Sequence, residues 1–239
     1  MKLDILAFGA HPDDVELSCA GTLAKEISLG KKVGIIDLTQ GELGTRGSAE
    51  IRKKEANKAA DILGVEIREN LKFRDGFFLN DENHQMEIIK ILRKYQPEIV
   101  FCNAIDDRHI DHGKGSRLVS DACFLSGLQK IRTALSGNQQ KKWRPKHVYH
   151  YIQWKSISPD FVVDISGFLD LKIKSVEAYS SQFFTEETKH DASTPISSQN
   201  FKDSISYRAA DFGRLIGTDH AEGFTTERYV AVNSVFDLI

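Results

Sequence analysis

Short apolar runs alternate with helical stretches along the first half of the chain, and this alternation limits the folds open to it. Strand-like runs are predicted at residues 3–8, 31–39, 65–73 and 98–104. The amphipathic stretches between them end at a glycine or stop before a proline, as helices do. This pattern predicts a Rossmann-like α/β fold, with a mostly parallel sheet and helices on both faces, as a single domain over residues 1–239.

The second half of the chain continues in the same way but with weaker periodicity. Strands are predicted at 146–152, 160–166 and 227–239, and helices at 171–183 and around 205–216. Polar turn formers fill residues 185–200, which are expected to form a mobile surface loop of the kind that can cover an active site. A glycine-bounded loop is expected at 217–224, before the closing strand.

Charge, hydropathy and cysteine content exclude several classes of protein. The formal net charge of -2 gives no polyanion-binding surface, so nucleic acid is not an expected partner. No apolar run approaches the roughly 20 residues that span a bilayer, so we expect no membrane contact and a soluble, cytoplasmic protein. The three cysteines, Cys19, Cys102 and Cys123, lie among apolar neighbours and are expected to be buried, reduced thiols.

A histidine and two aspartates follow the first predicted strand within four residues. His11, Asp13 and Asp14 flank Pro12, which cannot continue a strand but is tolerated at the start of a helix. The carboxyl ends of strands in an open α/β sheet are where such sheets bind ligands. The alternative is that the aspartates only cap the next helix and complement its dipole.

A second cluster follows the fourth strand, where His109, Asp111 and His112 occupy four positions. In a doubly wound sheet the first and fourth strands flank the point at which the strand order reverses. Their carboxyl-end loops then face each other across one crevice. The sequence therefore predicts that the two clusters meet.

Two imidazoles and a carboxylate form a common catalytic zinc set that leaves one coordination position open. His11, Asp14 and His112 supply such a set, although iron and other divalent ions are also accepted by these donors. Asp111 is expected to orient one of the histidines, because metal-bound imidazoles usually donate their other nitrogen to a carboxylate or carbonyl. The spacing alone does not decide which group takes which role.

A loop with three glycines follows the second strand and is bracketed by Arg46 and Arg52. It lacks the spacing and the terminal lysine of a phosphate-binding loop. Its arginines are either solvated surface charges or groups that bind an acidic substrate.

Three motifs together resemble the LmbE-like (PIG-L type) zinc deacetylases of N-acetylglucosaminyl compounds: HPDD at 11–14, GELGTRG at 41–47 and HIDH at 109–112. Residues 176–183 and 208–224 resemble the bacterial branch that deacetylates N-acetylglucosaminyl-malate in bacillithiol biosynthesis. That branch usually has a tyrosine where His220 stands here. The resemblance implies a Rossmann-like fold and, for this branch, often a hexamer.

The resemblance also implies a role for each residue of the two clusters. It makes His11, Asp14 and His112 the zinc ligands and Asp13 the general base. His109, in its protonated form, would stabilise the oxyanion or act as the acid.

Arg52 and Arg108 would contact the malate carboxylates in this interpretation. The expected reaction is hydrolysis of the acetamide of a small-molecule N-acetylglucosamine conjugate. Alternatives are the same hydrolysis on an inositol glycoside or a chitin oligomer, and a metal-binding protein without turnover. A nucleotide-binding module is disfavoured because GAHPDD stands where GxGxxG would be needed.

Overall fold

Seven strands form one sheet, and the strand that leads into the second histidine cluster lies at its centre. The computed structural model describes residues 1–186 and 192–238. The strands of this sheet are β1 (Ile5–Gly9), β2 (Val33–Thr39), β3 (Ile67–Phe73), β4 (Ile99–Cys102), β7 (His147–Tyr151), β8 (Phe161–Asp164) and β9 (Ala221–Thr226). A separate short hairpin is formed by β5 (Ala134–Leu135) and β6 (Asn138–Gln139). The helices are α1 (Asp14–Ser28), α2 (Ala49–Leu63), α3 (Glu82–Tyr95), α4 (Ile110–Ser126), α5 (Leu169–Glu177) and α6 (Gln199–Ile216).

The strand order is β3-β2-β1-β4-β7-β9-β8. The first five strands in this order are parallel, and β9 is antiparallel to both β7 and β8. The order reverses between β1 and β4, which pair directly with Ile5 opposite Ile99. The predicted fold class and the predicted neighbourhood of these two strands are therefore confirmed.

Successive residues of β1 pack into opposite layers, because side chains alternate across a strand. Leu6 and Phe8 join the core under α3 and α4, which includes Leu118. Ile5 and Ala7 join the core on the other face, against the apolar side of α1. Every residue of β1 is buried. Helices on both faces therefore explain the continuous apolar run of this strand, as predicted.

The closing strand was predicted at the wrong place. The last strand is β9, Ala221–Thr226, which begins inside the expected glycine-bounded loop and fills the gap between β7 and β8. Residues 227–238 have no strand partner and contain only a short 3-10 turn, Val235–Asp237. Their apolar alternation was misleading, because Tyr229 and Phe236 are almost fully exposed.

Two smaller predictions concern a helix and the cysteines. The helix expected at 171–183 is α5, Leu169–Glu177, and ends six residues earlier than predicted. All three cysteines are buried and free, as predicted. Part of the polar segment expected as a loop, residues 187–191, lies outside the described residues. Within the described ranges, no helix has the length and apolarity needed to cross a membrane.

A buried ion-pair network fixes β3 and β2 against α1 below the carboxyl edge of the sheet. The Arg68 guanidinium donates from Nε and Nη2 to the two carboxylate oxygens of Asp37, at 2.9 and 2.8 Å. Its Nη1 contacts Glu16, which also accepts a hydrogen bond from the Tyr179 hydroxyl. All of these side chains are buried or nearly so. The network therefore joins two strands and a helix through one cation.

Arg68→Met is expected to lower the free energy of unfolding by about 3–5 kcal/mol, because Glu16 and Asp37 would remain buried without their cation. Urea denaturation of the purified protein measures this loss. Lys54→Met is the matched control, since Lys54 pairs with Glu50 on the exposed surface of α2. The control should change stability by less than about 0.5 kcal/mol. Equal losses in both variants would contradict a structural role for this network.

Candidate active site and metal centre

The two predicted clusters meet at the carboxyl edge of the sheet, between β1 and β4. The rings of His11 and His112 have centroids 5.7 Å apart, and those of His11 and His109 are 4.6 Å apart. One nitrogen from each of these three rings lies within 4.8 Å of the other two. Two loops nearly 100 residues apart in sequence therefore share one site.

The Asp14 carboxylate lies against two of the imidazoles. Its Oδ1 is 3.2 Å from His112 Nε2, and its Oδ2 is 3.6 Å from His11 Nδ1. Burial by itself would raise the pKa of Asp14, but His112 and His11 hold that pKa well below its usual range. Asn103 also donates to Oδ2, at 3.0 Å, and Gln153 to Oδ1, at 2.7 Å. Asp14 is therefore ionised and fixed in orientation.

Carboxylates hold the outer nitrogens of both rings. His112 Nδ1 lies 2.7 Å from Asp107 Oδ2, and His11 Nε2 lies 3.0 Å from Asp75 Oδ1 and 3.4 Å from Asp111 Oδ2. These contacts place a proton on each outer nitrogen. Burial by itself would lower the pKa of both rings, but the surrounding carboxylates raise the pKa of His11 well above its usual range and that of His112 to about 9. The inner nitrogens, His11 Nδ1 and His112 Nε2, face Asp14 and would become lone-pair donors on losing a proton to a binding metal ion.

This arrangement fits a divalent metal ion. Bond lengths of 2.0–2.2 Å and tetrahedral geometry place zinc ligands roughly 3.4 Å apart. The two contacts of Asp14 with the imidazoles, at 3.2 and 3.6 Å, bracket that spacing. Two nitrogen donors and one anionic oxygen are a donor set that zinc binds and that iron also accepts. His11, Asp14 and His112 are thus the residues that could hold the ion.

Asp13 does not act as a helix cap, which was the alternative interpretation of this aspartate. It sits at the N-cap position of α1 with φ 111° and ψ -22°, and its side chain makes no capping hydrogen bond. Arg52 of α2 instead donates from Nη2 to Asp13 Oδ2, at 2.8 Å, and contacts the carbonyl of Pro12. Burial raises the pKa of Asp13 to about 7, despite the nearby Arg52 cation. A non-glycine residue held at such a φ is costly and is typical of functional sites.

His109 is neutral in this arrangement, which differs from the expected imidazolium. Burial, reinforced by the neighbouring His11 and His112 rings, lowers the pKa of His109 to about 4. Its Nδ1 accepts a hydrogen bond from the backbone N–H of Asp111, at 3.2 Å, so the ring proton is on Nε2. His109 therefore presents a neutral N–H donor.

A cavity of about 430 Å³ opens over the three histidines and both aspartates. Its far wall is formed by α6, with Phe201, Ile205 and Phe212, and by the described residues 194–196 of the predicted loop. Sequence reasoning did not assign α6 to the site, because its apolar stripe is the ordinary pattern of a helix packed on a core. The cavity has the size of a small-molecule site.

Glu222 lines this cavity, whereas His220 is not among its lining residues. The Glu222 carboxylate accepts hydrogen bonds from the N–H groups of Gly21 and Thr22, at 3.0 and 2.7 Å, and pairs with Lys172 at 2.5 Å. These contacts attach β9 to the middle of α1 and to α5. The sequence gives no indication of these partners.

The two arginines expected to bind substrate carboxylates both line the cavity but differ in their surroundings. Arg52 is buried and its Nη2 is occupied by Asp13 and Pro12. Arg108 is exposed and its guanidinium lies over the Trp154 ring, 4.7 Å from the centroid. Arg52 therefore contacts the Asp13 side chain, and its expected role as a direct carboxylate ligand stays a prediction.

Comparison with known proteins agrees with this fold. The family model for PIG-L, GlcNAc-PI de-N-acetylase, matches residues 6–123, which include both clusters. The conserved protein TT1542 from Thermus thermophilus has 34% sequence identity and a TM-score of 0.84, over 97% of this chain and 98% of its own. The chain belongs to the PIG-L (LmbE-like) family.

Two curated relatives carry names that describe an activity. Diacetylchitobiose deacetylase from Thermococcus kodakarensis is 27% identical over 191 residues, which cover 75% of this chain and 70% of that protein. The probable N-acetyl-alpha-D-glucosaminyl L-malate deacetylase 2 from Bacillus anthracis is 24% identical over 205 residues, covering 77% and 84% of the two chains. Both matches are distant, so the bacillithiol branch is one similarity among several.

Asp107→Asn is expected to weaken zinc binding by about 10- to 100-fold, because His112 would lose the carboxylate that fixes its orientation and raises its basicity. Competition with a chromophoric chelator measures the affinity. Asp106→Asn is the matched control, since Asp106 is an exposed neighbour whose carboxylate contacts only Lys155 among the described side chains. Unchanged zinc affinity in a folded Asp107→Asn protein would contradict this role.

Proposed function

We propose that this protein is a metal-dependent deacetylase that removes the N-acetyl group from an N-acetylglucosamine conjugate. One observation carries the proposal: the two inner imidazole nitrogens face an ionised Asp14, while a second aspartate, Asp13, stays outside this donor set. Amide hydrolysis needs both an electrophilic centre and a separate base. The names of the two curated relatives, each a deacetylase of an N-acetylglucosaminyl compound, support the substrate class.

A divalent ion held by His11, Asp14 and His112 would polarise the acetamide carbonyl and lower the pKa of a bound water. We propose zinc as this ion, because the donor set and its spacing suit it. The carboxylates of Asp75, Asp107 and Asp111 keep the two imidazoles in the tautomer that such an ion requires. The protein residues then orient the substrate and move the protons.

Asp13 is the proposed general base. It lines the cavity next to Asp14, and Arg52 holds its carboxylate at one oxygen, which leaves the other oxygen to accept a proton from the attacking water. The same carboxylic acid can then return this proton to the amide nitrogen, so that the nitrogen leaves as a neutral amine when the C–N bond breaks. The products are acetate and the free amino sugar.

His109 is the proposed oxyanion donor. Its neutral Nε2–H can donate to the carbonyl oxygen as negative charge develops there, and this needs no protonated ring. A single donor of this kind typically contributes about 3–4 kcal/mol to transition-state stabilisation. Asp111 supports it through the backbone N–H that fixes the tautomer.

N-Acetylglucosaminyl-malate is our proposed substrate, on the resemblance of residues 176–183 and 208–224 to the bacillithiol branch. Deacetylation of an inositol glycoside or of a chitin oligomer is the alternative, and the relative from Thermococcus kodakarensis favours the chitin class. A hexameric assembly and a cytoplasmic location stay predictions.

Asp13→Asn is expected to reduce kcat by about 10²- to 10⁴-fold with zinc content unchanged, since the variant loses the base but keeps the three metal donors. Acetate release from N-acetylglucosaminyl-malate, diacetylchitobiose and N-acetylglucosamine measures the activity, with metal analysis of the same samples. Turnover at the wild-type rate with zinc bound would remove Asp13 as the base. Zinc binding without acetate release from any substrate, even in the wild type, would instead favour a metal-binding protein without turnover.

Arg52→Gln is expected to lower kcat on acidic and neutral substrates by the same factor, because Arg52 contacts Asp13 and not the part of the substrate that differs. The measurement is kcat and KM on N-acetylglucosaminyl-malate and on N-acetylglucosamine. Lys53→Gln, at the exposed neighbouring position of α2, is the control and should leave both unchanged. A loss confined to the malyl substrate would restore Arg52 as a carboxylate ligand.

A further inference from the structure

Residues 229–238, the apolar segment, lie open to solvent after the last strand. Six large apolar side chains of this segment are exposed: Tyr229, Val230, Val232, Val235, Phe236 and Leu238. Phe236 is 90% exposed, and the segment has no strand partner among the described residues. Apolar side chains grouped so closely on a surface mark a site of interaction with another molecule.

The base of the apolar segment is fixed to the body of the protein. The Glu227 carboxylate lies 3.1 Å from His150 Nε2 of β7 and accepts a hydrogen bond from the Ser120 hydroxyl of α4. The Arg228 guanidinium donates to the backbone carbonyl of Lys146, just before β7. The segment therefore leaves the protein surface at a defined point.

The far end of the apolar segment has a shape of its own. The backbone N–H groups of Asn233 and Ser234 donate to Asp237 Oδ2, at 2.9 and 3.1 Å, and close the 3-10 turn Val235–Asp237. This turn forms without any contact to the rest of the protein. A preformed turn lowers the entropy that the segment would lose on binding.

A groove of about 670 Å³ lies beside the base of the segment, between α4 and the start of β7. Residues 226–228 form one of its sides. Its apolar lining residues are Cys123, Phe124, Leu125, Pro145, Val148 and Tyr149. No residue of the apolar segment lines it, so the groove and the segment are both uncovered within the described part of one chain.

The groove also carries positive charge that is not neutralised. Arg144 donates from Nη2 to the Phe124 carbonyl, at 2.7 Å, and its guanidinium lies over the Phe124 ring, 4.3 Å from the centroid. Neither Arg144 nor Arg228 has a carboxylate partner among the described residues. Burial lowers the pKa of His147 in this groove, and the nearby Arg228 and Lys146 lower it further.

An apolar groove bordered by unpaired arginines fits an apolar peptide that carries a carboxylate. The apolar segment has this composition, because Asp237 is its only charged residue and lies between Phe236 and Leu238. The groove and the segment are therefore complementary in both polarity and charge.

The segment and the groove begin at the same place, Arg228, and this favours a second copy of the chain as the partner. A twofold axis that brings two grooves face to face would lay the segment of each copy along the groove of the other. A contact made twice in this way is isologous and closes on itself.

We infer that the apolar segment of one copy packs in the groove of a second copy, and that the exchange is reciprocal. Phe236 would contact the apolar lining, and Asp237 would pair with Arg144 or Arg228. The groove lies at the start of β7, at the opposite edge of the sheet from the metal centre. The contact is therefore separate from the proposed activity and does not depend on it.

Size-exclusion chromatography with light scattering tests this contact on the full chain. The wild type is expected to form a dimer or a larger assembly with an even number of copies. Phe236→Glu and, in the groove, Phe124→Glu should each weaken the pairwise contact at least about 30-fold, because each places a charge against apolar side chains. Both positions are exposed within one chain, so each variant should stay folded, which circular dichroism checks.

Tyr207→Glu is the matched control, since Tyr207 is a 65% exposed aromatic residue of α6 that does not line the groove. It should keep the mass of the wild-type assembly. A monomeric or trimeric wild type would overturn the inference. Wild-type assembly in folded Phe236→Glu and Phe124→Glu proteins, or an equal loss in Tyr207→Glu, would overturn it as well.

Photo-crosslinking identifies what occupies the groove. With p-benzoylphenylalanine in place of Phe236, we expect a product of twice the chain mass on a denaturing gel, cross-linked to residues 117–125 or 144–149. The same label in place of Tyr207 should give no cross-link to these residues. Cross-links confined to a single chain would show that the segment folds onto its own groove, and cross-links to another surface of the second copy would place it elsewhere. Either result would overturn the exchange.

Discussion

The parallel pairing of β1 with β4 is the constraint on which the site depends. Parallel neighbours release their chains at the same edge of the sheet, so the loops that follow β1 and β4 must leave side by side. His11 and His112 are held close by this pairing and not by any local contact along the chain. The buried apolar residues of β1, which pack against helices on both faces, keep the register of these two strands fixed.

Neighbouring carboxylates then fix the orientation of the imidazoles that this strand pairing brings together. Asp107 and Asp75 each take one nitrogen of an imidazole, which leaves the other nitrogen of that ring facing Asp14. Arg52 does for Asp13 what these aspartates do for the histidines, because it fixes one oxygen of the carboxylate and its unusual backbone conformation. His11, His112 and Asp13 are therefore each oriented by a charged neighbour.

Much of this organisation could be predicted from the local sequence pattern. The parts that could not be predicted depend on contacts that the local pattern does not show. The strand order at β1 and β4 follows from alternating strands and helices, and the two clusters are visible because histidines and aspartates are unusual directly after apolar strands. Asp75 was missed although it follows β3, since one carboxylate after a strand is indistinguishable from a turn residue. The role of Arg52 depends on which partner it meets, and only tertiary contacts decide that. The prediction of a strand at 227–239 was wrong, because strand propensity does not indicate which strand a segment will pair with. The position between β7 and β8 is occupied by residues 221–226 instead.

Glu222 separates the part of the cavity wall that is held in place from the part that can adapt to ligands. Its carboxylate joins the middle of α1 to β9, and a β-carbon on Gly21 would approach Glu222 to 3.1 Å and Ile165, just after β8, to 2.6 Å, so α1 packs closely against both. The floor that carries Asp13 and Asp14 is therefore rigid. Any accommodation of ligands of different length must come from the opposite side, where residues 194–196 and α6 border the opening. Among relatives that share this floor, substrate range should diverge through α6 and the segment before it, with the catalytic half left untouched.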